Sequence, residues 1–299
     1  MPSVDPRVLE RALHSLAKRR RDGEDDFFRR LTELPPDAAK AYAELSGRRA
    51  DALARGPGAG HADLEDALAR ALEAAGLPPN HLDIKPSCAL CGDRGYADAV
   101  RCKCLNALCT EEQLKLLGEV LPVGTATFAT FDDSVYSGVK TDAGFSPRQS
   151  AQSVKRQCRE FADGFSAASP SLLLIGDAGT GKTFLLSCIA ESVAHKGFWV
   201  HYAKAPLCLQ REAEPDEPAR LQNADLLLLD DLGAEWNVPS SQTALFMLID
   251  RRLTEGRPTV AATVLRPGAI AERYPPQLAS RLTGAFRTEI LFGEDLRKP

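Results

Sequence analysis

The chain has 299 residues, of which 44% are hydrophobic and 26% charged, and its formal charge is −4. That size and balance suit a soluble globular protein of two domains and exclude a general basic field for nucleic acid, so any such contact must come from a local patch. No apolar run reaches the length of a membrane span. The start, MPSVDPRVLERALHSLAKRRRDGEDD, lacks the apolar centre of a secretory signal, so a cytoplasmic location is expected.

Residues 5–75 are rich in Ala, Leu, Arg and Glu and read as helices. In DLEDALARALEAAG, Leu64, Leu68 and Leu72 recur four apart on one face, and Gly76, Pro78 and Pro79 stop the helix. GPGAG at 56–60 reads as a flexible break before it. KRRRDGEDD at 18–26 places blocks of opposite charge side by side and reads as a solvated helix end.

Five of the eight cysteines fall in CALCGDRGYADAVRCKCLNALC, residues 88–109. A pair spaced C-x2-C is followed after ten residues by C-x-C, giving Cys88, Cys91, Cys102 and Cys104, with Cys109 as a fifth candidate. In a reducing compartment, clustered thiols point to a metal rather than to disulfides. Four thiolates suit tetrahedral Zn2+ and leave no open position, so the metal is expected to be structural. Arg94, Arg101 and Lys103 would offset the anionic cluster. A helix is expected over TEEQLKLLGEVL (110–121), then a connector over 121–150.

From about residue 150 the pattern alternates between helices and short apolar strands: SLLLIG (171–176), FWVHYA (198–203), LLLLD (226–230), TVAAT (259–263) and TEILF (288–292). This predicts an α/β fold, a parallel sheet with helices on both faces. GDAGTGKT, residues 176–183, fits the phosphate-loop pattern and lies between a strand and a helix. Gly176, Asp177, Ala178, Gly179, Thr180 and Gly181 would form a turn whose amides converge on phosphate oxygens at a helix N-terminus. Lys182 would bridge the β- and γ-phosphates of ATP, and the Thr183 hydroxyl would ligate Mg2+. LLLLDDLG (226–233) ends a buried strand on two carboxylates: Asp230 for Mg2+ and Asp231 to orient or deprotonate the attacking water.

Taken in order, these motifs resemble the bacterial replicative-helicase loaders of the DnaC/DnaI type. The shared features are a helical N-terminus, CxxC-x-D-x-G with CxC, an AAA+ phosphate loop, LLLLDDLG, a helix with DRR, then SRL and a terminal FGEDLR. The resemblance implies an AAA+ ATPase domain at 151–299 that lacks a lid. It also implies a helicase-binding N-terminal domain at 1–120, whose four-cysteine zinc module occupies 88–109. The implied activity is ATP-dependent delivery of the replicative DNA helicase onto single-stranded DNA. The family's CxC favours Cys104 over Cys109 as the fourth zinc ligand. Arg281 in ASRLTG falls where the family carries an arginine finger, which would reach the γ-phosphate of a neighbouring subunit and imply self-association; from residue type alone it is as readily a surface arginine.

Two positions depart from the family. Val264, in PTVAATVLRP, stands where a polar residue positions the attacking water, and the adjacent Thr263 would point to the opposite face of its strand. Gln277 stands where an extra arginine often precedes SRL. Slow, partner-stimulated hydrolysis is therefore expected, with a non-hydrolysing ATP-binding adaptor or a transposition helper ATPase as the alternatives. Only eighteen residues follow Arg281, too few for a lid, so a neighbouring subunit would partly enclose ATP; Arg297 is a candidate contact there. Phe128 and Phe131 could pack against adenine or simply fill the core.

Overall fold

A computed structural model describes residues 3–55, 61–141, 144–209 and 215–297; the GPGAG break lies outside these. The chain forms two compact units. One is Leu13–Leu105; the other joins the residues up to Ala12 with those from Asn106 onward.

Helix α1 (Pro6–Thr32) is followed by α2 (Pro36–Arg55) and α3 (Ala62–Ala74). KRRRDGEDD is the solvated interior of α1 rather than a helix end, because no glycine–proline stop follows it and Phe27 and Leu31 continue the helix to an apolar anchor. Leu31, Leu34, Ala38, Leu68 and Leu72 pack together, so the Leu68/Leu72 face of α3 is buried as its spacing requires. A two-residue hairpin, β1 (Tyr96–Ala97) with β2 (Val100–Arg101), closes the cysteine segment. Helix α4 (Lys103–Gly118) starts seven residues earlier than the sequence suggests. From Asn106 onward it belongs to the larger unit, with Leu117 and Leu121 buried in that unit's core.

The larger unit continues with α5 (Pro147–Asp163), β3 (Leu172–Gly176), α6 (Lys182–His195), β4 (Val200–Lys204), α7 (Ala205–Cys208), α8 (Glu217–Asn223), β5 (Leu226–Leu232), α9 (Pro239–Thr254), β6 (Thr259–Thr263), α10 (Pro267–Arg273), α11 (Pro276–Gly284) and β7 (Arg287–Leu291). The five strands are parallel, in the order β4-β5-β6-β3-β7. Their unbroken apolar runs follow from burial on both sides. Leu172, Leu174, Leu226 and Leu228 face the layer of α5 and α6, whereas Leu173, Ile175, Leu227 and Leu229 face α9 and α11. Among the described residues, no helix is long and apolar enough to cross a membrane.

One buried arginine fixes the lower end of the sheet. Arg252 of α9 is fully buried and donates to the carbonyls of Leu221, Gln222, Ala224 and Pro258 at 2.6–3.0 Å and to the Thr259 hydroxyl at 2.9 Å. It thereby ties the lead-ins to β5 and β6. Burial pushes its pKa down to about 9, so it remains charged at neutral pH.

Candidate nucleotide site

The parallel order brings the C-terminal ends of β3, β5 and β6 to one edge of the sheet, where an open α/β fold holds its ligand. Gly176 ends β3, residues 177–180 form the loop, and Gly181 is the N-cap of α6 in a left-handed conformation. Thr180 is buried; its hydroxyl donates to the Asp177 carbonyl at 2.9 Å, and its own carbonyl accepts from the Tyr136 hydroxyl at 2.8 Å. Burial drives Tyr136 up to about 12, so its phenol stays protonated and keeps the loop tied to the connector.

Lys182 is buried and its ammonium donates to the carbonyls of Gly176 and Asp177, both at 2.8 Å. Burial lowers its pKa, opposed by the nearby charges of Asp230 and Asp231. Asp230 is also buried. Its carboxylate accepts from the Thr183 hydroxyl at 2.8 Å, from the Tyr202 hydroxyl at 3.1 Å and from the amide of Asp231 at 2.9 Å. The Thr183–Asp230 pair offers two hard oxygens in contact, the donor set suited to Mg2+. Tyr202, on neighbouring β4, has its own pKa raised by burial and by this carboxylate.

Asp231 is half exposed, and its backbone is left-handed with φ 55°. The register of β5 against β6 shifts between Leu229 and Leu232, and this bulge turns the Asp231 carboxylate out of the strand. There it lies 3.4 Å from the Lys204 ammonium, at the end of β4. Thr263 is buried and its hydroxyl donates to the Leu232 carbonyl at 2.6 Å, so it is turned away from the site; Val264 is 50% exposed and offers no polar group. Arg281 is on α11, ion-paired with Asp250 and seated over the Phe246 ring at 5.4 Å. Phe131 is core packing. It is buried and stacks on Tyr136 and against the edge of Phe184.

The last described residues contribute more than the motifs suggest. The Leu296 amide donates to the Gly179 carbonyl at 3.2 Å. Gly179 has φ 75°, and a Cβ there would fall 1.6 Å from an Asp295 carboxylate oxygen and 3.0 Å from Arg297 Nε, so a side chain would be strained and would displace this strap. Arg297 is held by Asp295 at 2.9 Å. The Tyr202 and Lys204 contacts lie outside any motif, whereas Asp295 belongs to the terminal FGEDLR. Position in β4 next to an acidic-ended strand is the one signal that could have singled out the first two.

In the smaller unit, the sulfur atoms of Cys88, Cys91, Cys102 and Cys104 lie within 4.8 Å of one another, with Cys88–Cys102 at 3.7 Å and Cys91–Cys104 at 3.4 Å. Tetrahedral Zn2+ with bonds of about 2.3 Å requires sulfur separations of about 3.8 Å, so the residues fit that ion. Cys109 is buried outside the cluster. The Asp93 carboxylate accepts from the amides of Ser87 and Cys88 at 2.7 and 2.9 Å and sets the first turn. Burial opposes ionisation of Cys91, but the Gly95 amide and the neighbouring thiols bring its pKa down to about 7; burial pushes Cys104 up. One proton is thus readily surrendered, as metal uptake requires.

No family model matches the chain. Over 137 residues it is 34% identical to the chromosomal replication initiator protein DnaA of Sphingopyxis alaskensis, a match covering 42% of this chain and 29% of that protein. The chain therefore spans less than a third of the curated relative. The chain is similar to AAA+ replication proteins. Among solved structures, DnaI aligns at TM-score 0.47 and 18% identity, covering 57% of this chain and 90% of that one. The DnaC helicase loader aligns at TM-score 0.46 and 17% identity, covering 56% and 97%.

Proposed function

We propose that this chain is an ATP-dependent loader that binds the replicative DNA helicase and delivers it onto single-stranded DNA. The observation carrying this reading is that a phosphate loop, with Thr183 and Asp230 in contact at 2.8 Å, shares one chain with a four-thiol cluster of zinc dimensions. The phosphate loop and acidic pair supply ATP binding, the cysteine module shapes a unit that grips the helicase, and Arg281 acts on the nucleotide of a neighbouring copy.

The loop amides of Asp177–Gly181 and the N-terminus of α6 hold the phosphates. Lys182, already buried and needing only to exchange its two carbonyl partners, follows the β- and γ-oxygens. Thr183 and Asp230 would hold Mg2+, which would supply positive charge to the phosphates. Asp231 orients or deprotonates water once it leaves Lys204. No side chain from β6 helps it, because Thr263 is engaged with Leu232 and Val264 is apolar, which supports slow turnover that depends on partners. The same observation favours the adaptor reading, in which ATP binding alone sets the shape of the protein.

The test is ATP turnover with and without single-stranded DNA and the host replicative helicase. Stimulated turnover that is lost in Lys182→Ala supports the loader enzyme. Tight ATP binding without turnover, restored by Val264→Asn, supports the adaptor. Failure to associate with the helicase under either condition refutes both.

A further inference from the structure

The outer edge of the sheet borders a groove that the phosphate loop does not line. β4 is the edge strand, and its odd residues face β5: the Leu226 amide donates to the Trp199 carbonyl. By alternation its even residues turn their amides and carbonyls outward. At one end this edge is already paired, not by a strand but by a side-chain amide. Gln113 of α4 donates to the Phe198 carbonyl at 2.8 Å and accepts from the Val200 amide at 3.1 Å. The next outward groups, the Val200 carbonyl, the Tyr202 amide and carbonyl and the Lys204 amide, run along a groove of about 640 Å3.

The lining of the groove selects the occupant. Leu116, Val120 and Leu207 offer apolar walls, with Val120 57% and Leu207 61% exposed, over a buried Trp199 floor. Its acidic groups, Asp5, Glu119 and Glu217, equal its basic groups, Arg7, Lys204 and Arg220, in number. Such a balanced groove gives a polyanion no net attraction, which argues against nucleic acid. A chain of amides two residues apart with apolar side chains on one face matches both the edge and the walls, and the Gln113 amide already occupies the first such position. The geometry points to β4 as a docking edge for an extended, uncharged, apolar-alternating peptide segment of a partner protein, which adds a strand beside residues 200–204. Lys204 lines this groove and also faces Asp231, so the bound segment touches the residue that restrains the nucleotide site.

The test does not involve the helicase and so stands apart from the loader reading. A phage-displayed library of random twelve-residue peptides is selected on the full chain, and enriched peptides are synthesised and examined by amide hydrogen exchange. The expected result is enrichment of peptides with apolar residues at alternate positions, exchange at the Tyr202 and Lys204 amides slowed at least tenfold, and binding weakened at least tenfold by Val120→Asp and by Leu207→Asp. Both substitutions are at exposed sites, and unchanged tryptophan fluorescence checks that the fold is kept. Failure to enrich such peptides, binding without slowed exchange at Tyr202 and Lys204, or binding unaffected by both substitutions overturns the proposal. Equal slowing by a single-stranded oligonucleotide also overturns it.

Discussion

Replacing Arg252 with methionine should destabilise the larger unit without touching a residue of the candidate nucleotide site. The guanidinium is fully buried and satisfies four main-chain carbonyls and one hydroxyl, at the points where β5 and β6 begin. Methionine fills a similar volume but leaves the carbonyls of Leu221, Gln222 and Ala224 without donors, whereas Pro258 keeps the Leu227 amide at 3.2 Å. At about 1 kcal/mol for each of these three orphaned acceptors, the loss is about 3 kcal/mol, reduced somewhat because a buried cation with no carboxylate partner is removed as well. Arg252→Lys keeps the charge but lacks the planar fork and should fall between the two. Urea unfolding followed by tryptophan fluorescence reads this directly, since the only two tryptophans, Trp199 and Trp236, both lie in the larger unit. A loss below about 1 kcal/mol for Arg252→Met would refute the view that this arginine sets the sheet, because so small a change is ordinary for a surface site.

Other outcomes follow from the same geometry. Cys104→Ser should abolish stoichiometric zinc by metal analysis, whereas Cys109→Ser should retain it; the reverse result would move the fourth ligand. Gly95→Ala should destabilise the smaller unit by about 1–3 kcal/mol in thermal unfolding followed by circular dichroism, because φ is 82° and the added carbon would lie 2.8 Å from Leu16 Cδ1. Lys204→Ala should raise basal ATP turnover severalfold by releasing Asp231, measured by phosphate release; lowered turnover would mean that Lys204 assists the reaction instead.

The strands and the phosphate loop are legible in the sequence because both follow from local rules. Sheets covered on two faces need continuous apolar runs, and anion-binding loops need glycine before a helix. The position of α4 is harder to read. Its N-terminal turn, KCLN, has no capping residue and carries a cysteine of the metal cluster, so the pattern points to a start at Thr110. Arg252 reads as one of two arginines in DRR, and nothing in that triplet distinguishes the exposed Arg251 from the buried Arg252; their different surroundings come from residues about thirty positions upstream. Likewise Lys204 meets Asp231 only because β4 lies beside β5, a fact of topology rather than of motif.

The proposed function requires that the loop 176–183 grip ATP. Equilibrium dialysis of the purified full chain against millimolar ATP with Mg2+ tests it directly. One nucleotide should bind per chain, and Lys182→Ala should weaken uptake at least a hundredfold, about 2.7 kcal/mol. No saturable uptake by the native chain, or equal uptake by Lys182→Ala, would contradict it.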